Sequence, residues 1–236
     1  MFRAWRLAAP AQLVCNAPSM SKRREIEVQT ILCMNAKGGC GKTTIATNLA
    51  TWYADEGGKV AIMDFDPQRS SLDWLVARDD YTGVPVIEGV DAVAGEARAA
   101  HGTDVAVLDA PAAVYGAAVT QLLRRADVLL VPVLPSPIDM RAAARFIDEL
   151  LSSGRISRGQ TRIALIANRV REQTRIYHVL EEFLDAYKIP LLTHLRESQN
   201  YIRAAETGLG VFELAPSQVA VDVAQWDPVI AWLRKG

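Results

Sequence analysis

Asn35-Ala36-Lys37-Gly38-Gly39-Cys40-Gly41-Lys42-Thr43-Thr44 follows one apolar run, residues 26–34, and opens directly onto an amphipathic one, residues 43–56. A glycine-rich turn between a strand and a helix is a place to hold phosphate. Its glycines let successive backbone N–H groups point at an anion, and the helix N-terminus adds its partial positive charge. Lys42 can reach the β- and γ-phosphates of a nucleotide, and the Thr43 hydroxyl can bind Mg²⁺. Gly38, Gly39, Cys40, Gly41, Lys42, Thr43 and Thr44 are therefore the expected nucleotide contacts. A standard loop of this kind has its first glycine where Ala36 stands; here a second lysine, Lys37, precedes the paired glycines and adds positive charge beside the phosphate site.

Outward from this loop the chain alternates short apolar runs with amphipathic segments. Runs at 26–34, 60–65, 105–108, 128–133 and 163–167 read as strands, and their near-continuous apolarity marks strands buried on both faces. Helical patterns cover 43–56, 70–77, 92–100, 115–124, 140–151, 174–187, 200–207 and 219–233. The alternation predicts an α/β fold of three layers, a mostly parallel central sheet flanked by helices, as in P-loop NTPases. No repeat or Gly/Ser linker divides the chain, so one domain is expected over 20–236. Residues 1–19 read differently: Arg3 and Arg6 stand without an acid, and the apolar part that follows is broken by Pro10, Gln12 and Asn16. That is a poor signal-peptide core, and the expectation is a disordered or non-native extension outside the fold.

Composition narrows the function classes. Twenty-six Lys+Arg against 27 Asp+Glu give a net charge of −1, so binding to nucleic acid or a membrane surface would need a local patch. The longest apolar stretches fall far short of the roughly 18–20 residues a spanning helix needs. Cys15, Cys33 and Cys40 have no close pairing in sequence, and His101, His178 and His194 lie far apart, which speaks against a disulfide framework or a zinc site and for a reducing cytoplasm.

Nucleotide hydrolysis also needs carboxylates to place Mg²⁺ and the attacking water, at the sheet edge that carries the phosphate loop. Two runs deliver them: one ends in Asp64-Phe65-Asp66-Pro67-Gln68, the other in Asp109-Ala110-Pro111-Ala112. Aspartate after a strand also serves as a turn former or helix cap. Asp139, after Pro135-Ser136-Pro137, reads as the cap of the helix beginning near Met140. Asn168 ends the run at 163–167; its amide can donate and accept and so can read a base edge, with turn chemistry as the alternative.

The pattern Lys-Gly-Gly-x-Gly-Lys-Thr, starting at Lys37, resembles the deviant Walker A motif of the ParA/MinD family of ATPases. Residues 64–68 resemble that family's Asp-x-Asp-Pro-Gln segment, and Asp109-Ala110-Pro111 its Walker B motif, commonly Asp-x-Pro-Pro, with Ala112 in place of the second proline. Residues 195–212 are similar to the C-terminal region of short ParA proteins, the type without an N-terminal helix-turn-helix domain. The resemblance implies ATP as substrate and Mg²⁺ as cofactor. It implies that Lys37, Lys42 and Asp66 are catalytic, with Lys37 reaching across a nucleotide-sandwich homodimer to the partner's phosphates and Asp66 orienting or activating water. It further implies that Thr43, Asp66 and Asp109 serve the metal, that Asp64 supports the metal shell or the loop, and that Asn168 meets adenine.

The same resemblance implies a slow, partner-stimulated ATPase, cytoplasmic and nucleoid-associated. Such a protein binds DNA non-specifically and positions a plasmid or chromosome locus, or a protein body such as a carboxysome, through a ParB-like or cargo-specific adaptor. Arg155, Arg158, Arg162, Arg169, Arg171, Arg175, Arg196 and Arg203 accumulate after residue 150 and could form the patch for DNA phosphates; ordinary surface ion pairs are the alternative. In the last helical pattern Asp222 and Asp227 oppose only Arg234 and Lys235, a balance that gains little at anionic lipid, so no membrane partner is expected. Two other readings stay open: a metabolic ATP-dependent enzyme of the same fold, dethiobiotin-synthetase-like, and a MinD-like membrane-associated ATPase.

Overall fold

The structure is a computed structural model that describes residues 29–95 and 97–235. Seven strands, β1 (Gln29–Cys33), β2 (Val60–Asp64), β3 (Ile87–Asp91), β4 (Val105–Asp109), β5 (Val128–Val133), β6 (Arg162–Val170) and β7 (Leu191–Arg196), form one sheet in the order β3-β2-β4-β1-β5-β6-β7. Every pairing is parallel, so the sheet is wholly rather than mostly parallel. All residues of β2, β4 and β5 are buried, which is why their apolar runs are unbroken. The strand order reverses around β1, whose neighbours are β4 and β5, so the carboxyl end of β1 is a topological switch point, the usual ligand position in such sheets.

Nine helices were found among the described residues: α1 (Lys42–Asp55), α2 (Ser70–Arg78), α3 (Ala117–Leu123), α4 (Pro137–Ser152), α5 (Gly154–Ser157), α6 (Arg175–Asp185), α7 (Gln199–Glu206), α8 (Pro216–Ala224) and α9 (Asp227–Leu233). Two apolar cores lie on opposite faces of the sheet. Leu32, Leu108, Leu129 and Leu165 meet Leu123, Phe146 and Leu180 from α3, α4 and α6. Ile31, Ile62, Val107 and Leu130 meet Ile45, Leu49, Val219 and Val229 from α1, α8 and α9. Each fully buried aliphatic or Phe side chain contributes roughly 1.5–3 kcal/mol, so these two interfaces hold the three layers together.

Several expectations need correction. The described residues within 92–100 form no helix. Gly95 takes a left-handed φ of 82° in a turn whose amide bonds the carbonyl of Ala92, and the Arg125 guanidinium captures the carbonyls of Gly95 and Ala97, which a helix would have needed for itself. The span 219–233 is two helices, not one, and the first starts at Pro216. Pro228 has no N–H and its ring excludes the carbonyl four residues back, so the chain breaks at Gln225–Trp226 and restarts with proline in the first turn of α9. Helix α4 begins at Pro137, and its cap is Ser136, whose hydroxyl accepts the amide of Asp139 at 3.5 Å; Asp139 itself sits in the first turn. β3 and β7 were not anticipated because both are half-exposed edge strands without a continuous apolar run. Residues 1–28, including the extension at 1–19 and the start of the first predicted strand, lie outside the described residues.

Candidate functional site

The phosphate loop joins β1 to α1 at the switch point. Gly41 has φ 97°, and a Cβ there would run into the Asn168 amide, so only glycine fits. The loop is stitched from below. Asn35 accepts the Lys37 amide at 3.0 Å and donates to the Pro132 carbonyl of β5 at 2.6 Å, while the Cys40 thiol donates to the Lys37 carbonyl at 3.2 Å. Burial pushes that thiol's pKa up, so Cys40 stays a neutral hydrogen-bonding group. Lys42 is buried, its ammonium 3.5 Å from the Lys37 carbonyl. Lys37 is half-buried on the same loop.

This loop floors a cleft of about 670 Å³ whose walls include Thr43, Thr44, Asp66, Gln68, Pro111 and Arg169. A slightly larger cavity, about 730 Å³, is lined by Thr30, Gly95, Arg98 and Arg125; among the described residues it has no row of backbone donors and no carboxylate, so the chemistry belongs to the smaller cleft.

The two strand-end aspartates are register partners, Asp64 on β2 opposite Asp109 on β4, yet their surroundings differ completely. Asp64 is fully buried and fully bonded. One oxygen accepts the Asp66 amide at 2.9 Å; the other accepts the Ser71 hydroxyl at 2.7 Å and the amides of Ser71 and Leu72 at 3.0 and 3.3 Å. Arg69, at the N-cap of α2, has left-handed backbone and gives no side-chain cap, so Asp64 caps the helix from the preceding strand. Of the two supporting roles open to it, this geometry carries the loop and helix one.

Asp109 is as deeply buried, but neither of its oxygens has a hydrogen-bond partner among the described residues. Burial pushes its carboxyl up to about 7; the nearby Thr43 hydroxyl and Lys42 pull it back, and Asp64 and Asp66 push it further up. An orphaned carboxylate beside a threonine hydroxyl, at the edge of a phosphate cleft, is a donor set that fits Mg²⁺. Asp66 is half-buried on the cleft wall and accepts the Gln68 amide at 2.9 Å, which leaves its second oxygen free of protein donors among the described residues.

On the far side of the loop Asn168 is buried and already engaged. It donates to the Cys40 carbonyl at 2.8 Å and its oxygen accepts the Arg169 amide at 3.0 Å, so it props the phosphate loop, a task the sequence did not announce. A second cleft, about 470 Å³, opens beside it with Tyr201 and Ile202 on its wall.

Most of the arginines singled out after residue 150 are engaged within the fold. Arg171 pairs with Glu197, Arg196 forms a two-pronged bond to Asp222 at 2.6 and 3.0 Å, Arg162 stacks on Trp232 at 3.9 Å, and Arg155 is spent on Thr161 and nearby carbonyls. Arg203 bonds Gln218. Arg158, Arg169 and Arg175 make no ion pair among the described residues, and Arg158 and Arg169 lie toward opposite ends of β6.

A parallel sheet with its phosphate loop at the switch point and paired aspartates on the neighbouring strands defines a nucleotide-binding α/β protein. The chain matches the CobQ/CobB/MinD/ParA nucleotide binding domain over residues 31–211 and belongs to that family. It is 32% identical over 190 residues to Maintenance of carboxysome distribution protein A of Halothiobacillus neapolitanus, covering 78% of this chain and 87% of that protein. Among solved structures, apo McdA from Cyanothece aligns with a TM-score of 0.66 at 18% identity, over 86% of this chain and 100% of that one. The cell division ATPase MinD of Pyrococcus furiosus aligns with a TM-score of 0.64 at 18% identity, over 87% and 100%. At such identities the likeness establishes the fold, which is the three-layer P-loop NTPase architecture expected from sequence. No helix among the described residues is long and apolar enough to cross a membrane.

Proposed function

We propose that this chain is a ParA-type ATPase. ATP closes two copies face to face, the closed homodimer holds nucleoid DNA without sequence preference, and slow hydrolysis stimulated by an adaptor protein reopens it, so that a cargo is moved or spaced. The observation that supports this reading is the gathering of Lys37, Lys42, Thr43, Asp66 and the orphaned Asp109 at one sheet edge. A protein body, such as a carboxysome, is the favoured cargo because a relative that shares 32% of its residues over most of both chains is a carboxysome distribution protein. Its adaptor is then cargo-specific rather than ParB-like. The working unit is the domain from residue 20 onward.

In this reading the loop amides and Lys42 bind the β- and γ-phosphates, and Asn168, which props the loop, meets the adenine with its remaining amide hydrogen. Thr43, Asp109 and Asp66 would hold Mg²⁺, directly or through water. There it would supply positive charge against the negative charge of the β- and γ-phosphates. Asp66 aligns a water for in-line attack on the γ-phosphorus; the new P–O bond forms as the bond to ADP breaks, and ADP and phosphate leave. Lys37 stabilises the negative charge on the partner's phosphates, which makes the closed dimer the catalytic form.

The test is binding of non-specific double-stranded DNA, with ATP or ADP and Mg²⁺, across a salt titration. Binding should require ATP and fall steeply with salt. Intact ATP binding with no DNA binding at low salt would overturn the positioning role and favour a metabolic enzyme of this fold.

A further inference from the structure

β6 leaves the sheet irregularly where it reaches the cleft. Asn168 pairs with Leu195 and Val170 with Arg196 of β7, so Arg169 is the extra residue of a β-bulge. Its φ is 51°, a left-handed conformation that side-chain-bearing residues rarely adopt. Asn168 holds it there, accepting the Arg169 amide while its own amide group is anchored to the Cys40 carbonyl. Bulges re-aim side chains, and strained backbone collects at ligand sites.

The place this bulge serves is the junction of two clefts. Among the described residues, only Thr44 and Arg169 line both the phosphate cleft and the adjoining cleft that holds Asn168 and Tyr201. The other guanidinium of the second cleft, Arg196, is committed to Asp222, whereas Arg169 makes no ion pair among the described residues. Thr44 follows the residues that take the β- and γ-phosphates, so the junction is the sugar-proximal end of a phosphate chain.

We infer that Arg169 is a nucleotide-binding residue, presented by the bulge so that its guanidinium holds the phosphate nearest the sugar. This rests on the nucleotide reading of the cleft and adds to it a residue that its position in a run of surface-type arginines concealed. A guanidinium suits the task because its fork of donors matches phosphate oxygens.

The experiment is calorimetric titration of the full chain with ATP and with inorganic tripolyphosphate, each with Mg²⁺, in the wild type, Arg169→Gly and Arg169→Lys. Glycine takes the left-handed backbone without strain, so Arg169→Gly should be at least as heat-stable as the wild type without ligand. Its affinity for ATP should fall roughly ten- to a hundredfold, and that for tripolyphosphate by a similar factor, with Arg169→Lys in between. Wild-type ATP affinity in Arg169→Gly overturns the inference. So does a loss confined to ATP, which would put the guanidinium on the sugar or base; if Arg169→Gly fails to fold, an Arg169→Lys variant with wild-type affinity for both ligands overturns it equally. A wild-type chain that binds neither ligand would overturn the nucleotide reading itself, an outcome distinct from intact wild-type binding with an unaffected variant.

Discussion

Asp64 and Asp109 are the same residue type, in register on adjacent strands and equally buried, and differ only in whether anything donates to them. Four donors hold Asp64, none among the described residues holds Asp109, and the second arrangement costs stability. Because the Asp109 carboxyl lies near 7 in the fold against an ordinary 3.8, ionisation works against folding. Its contribution is most favourable below about pH 4 and is lost as pH rises to 7 and beyond. Asp109→Asn should therefore raise the melting temperature of the ligand-free protein at pH 8, by at most about 4 kcal/mol of stability, with the gain shrinking toward pH 4. It should also abolish the Mg²⁺ dependence of nucleotide affinity. Equal melting of both proteins at pH 8 would contradict the reading of Asp109 as a buried carboxylate without donors. Asp66, by contrast, has a free oxygen on the cleft wall and little structural duty. Asp66→Ala should retain ATP binding and lose turnover, while Lys42→Ala should lose binding; phosphate release and ATP titration, run on both, separate the two roles.

At the scale of elements, α2 is fixed at both ends. Asp64 caps its start, and at its end Arg78 enters a buried fork with Glu213 at 2.5 and 2.8 Å and also reaches the carbonyls of Pro85 and Gly208. Glu213 in turn accepts the Gly210 amide at 2.7 Å, and Asn48 of α1 accepts the amide of Val211 at 2.7 Å, so the segment after α7 is clasped between α1 and α2. Truncating one member leaves the other charge buried without compensation. Glu213→Ala should cost roughly 3–5 kcal/mol, and Arg78→Met with Glu213→Leu should recover most of that loss in denaturant unfolding. These long-range clasps were not legible in the sequence, since nothing local pairs residue 78 with residue 213. The phosphate loop, the five central strands and the aspartates that end two of them were legible, because burial on both faces writes a continuous apolar run and the chemistry sits where the run stops. Edge strands β3 and β7 carry no such signal. The helical pattern at 92–100 misled because the carbonyls of Gly95 and Ala97 are captured by Arg125, about thirty residues away, whereas the break between α8 and α9 was readable from Pro228 alone.

For the whole molecule, the net charge of −1 and the scatter of unpaired arginines bear on how DNA could be held at all. Six of the nine arginines after residue 150 are engaged within the fold, Arg234 through Glu56 among them, and Arg169 lines the nucleotide cleft, which leaves Arg158 and Arg175 unengaged there among the described residues. Attraction to a phosphate backbone grows with the number of cations engaged at once and is screened within about 8–10 Å at physiological salt. Two copies brought together would double the cations presented to one duplex, which gives a physical reason for DNA binding to depend on ATP. Lys37 is the residue on which that dependence turns in the proposed dimer. Lys37→Ala should bind ATP near wild-type affinity, because Lys42 and the loop amides remain, yet stay a monomer by light scattering and fail to retain DNA at salt concentrations where the wild type binds. Persistence of an ATP-dependent dimer in this variant would remove Lys37 from the interface. Monomeric Lys37→Ala that still binds DNA would instead show that one copy suffices, and would return the search for the DNA surface to cations outside the C-terminal third.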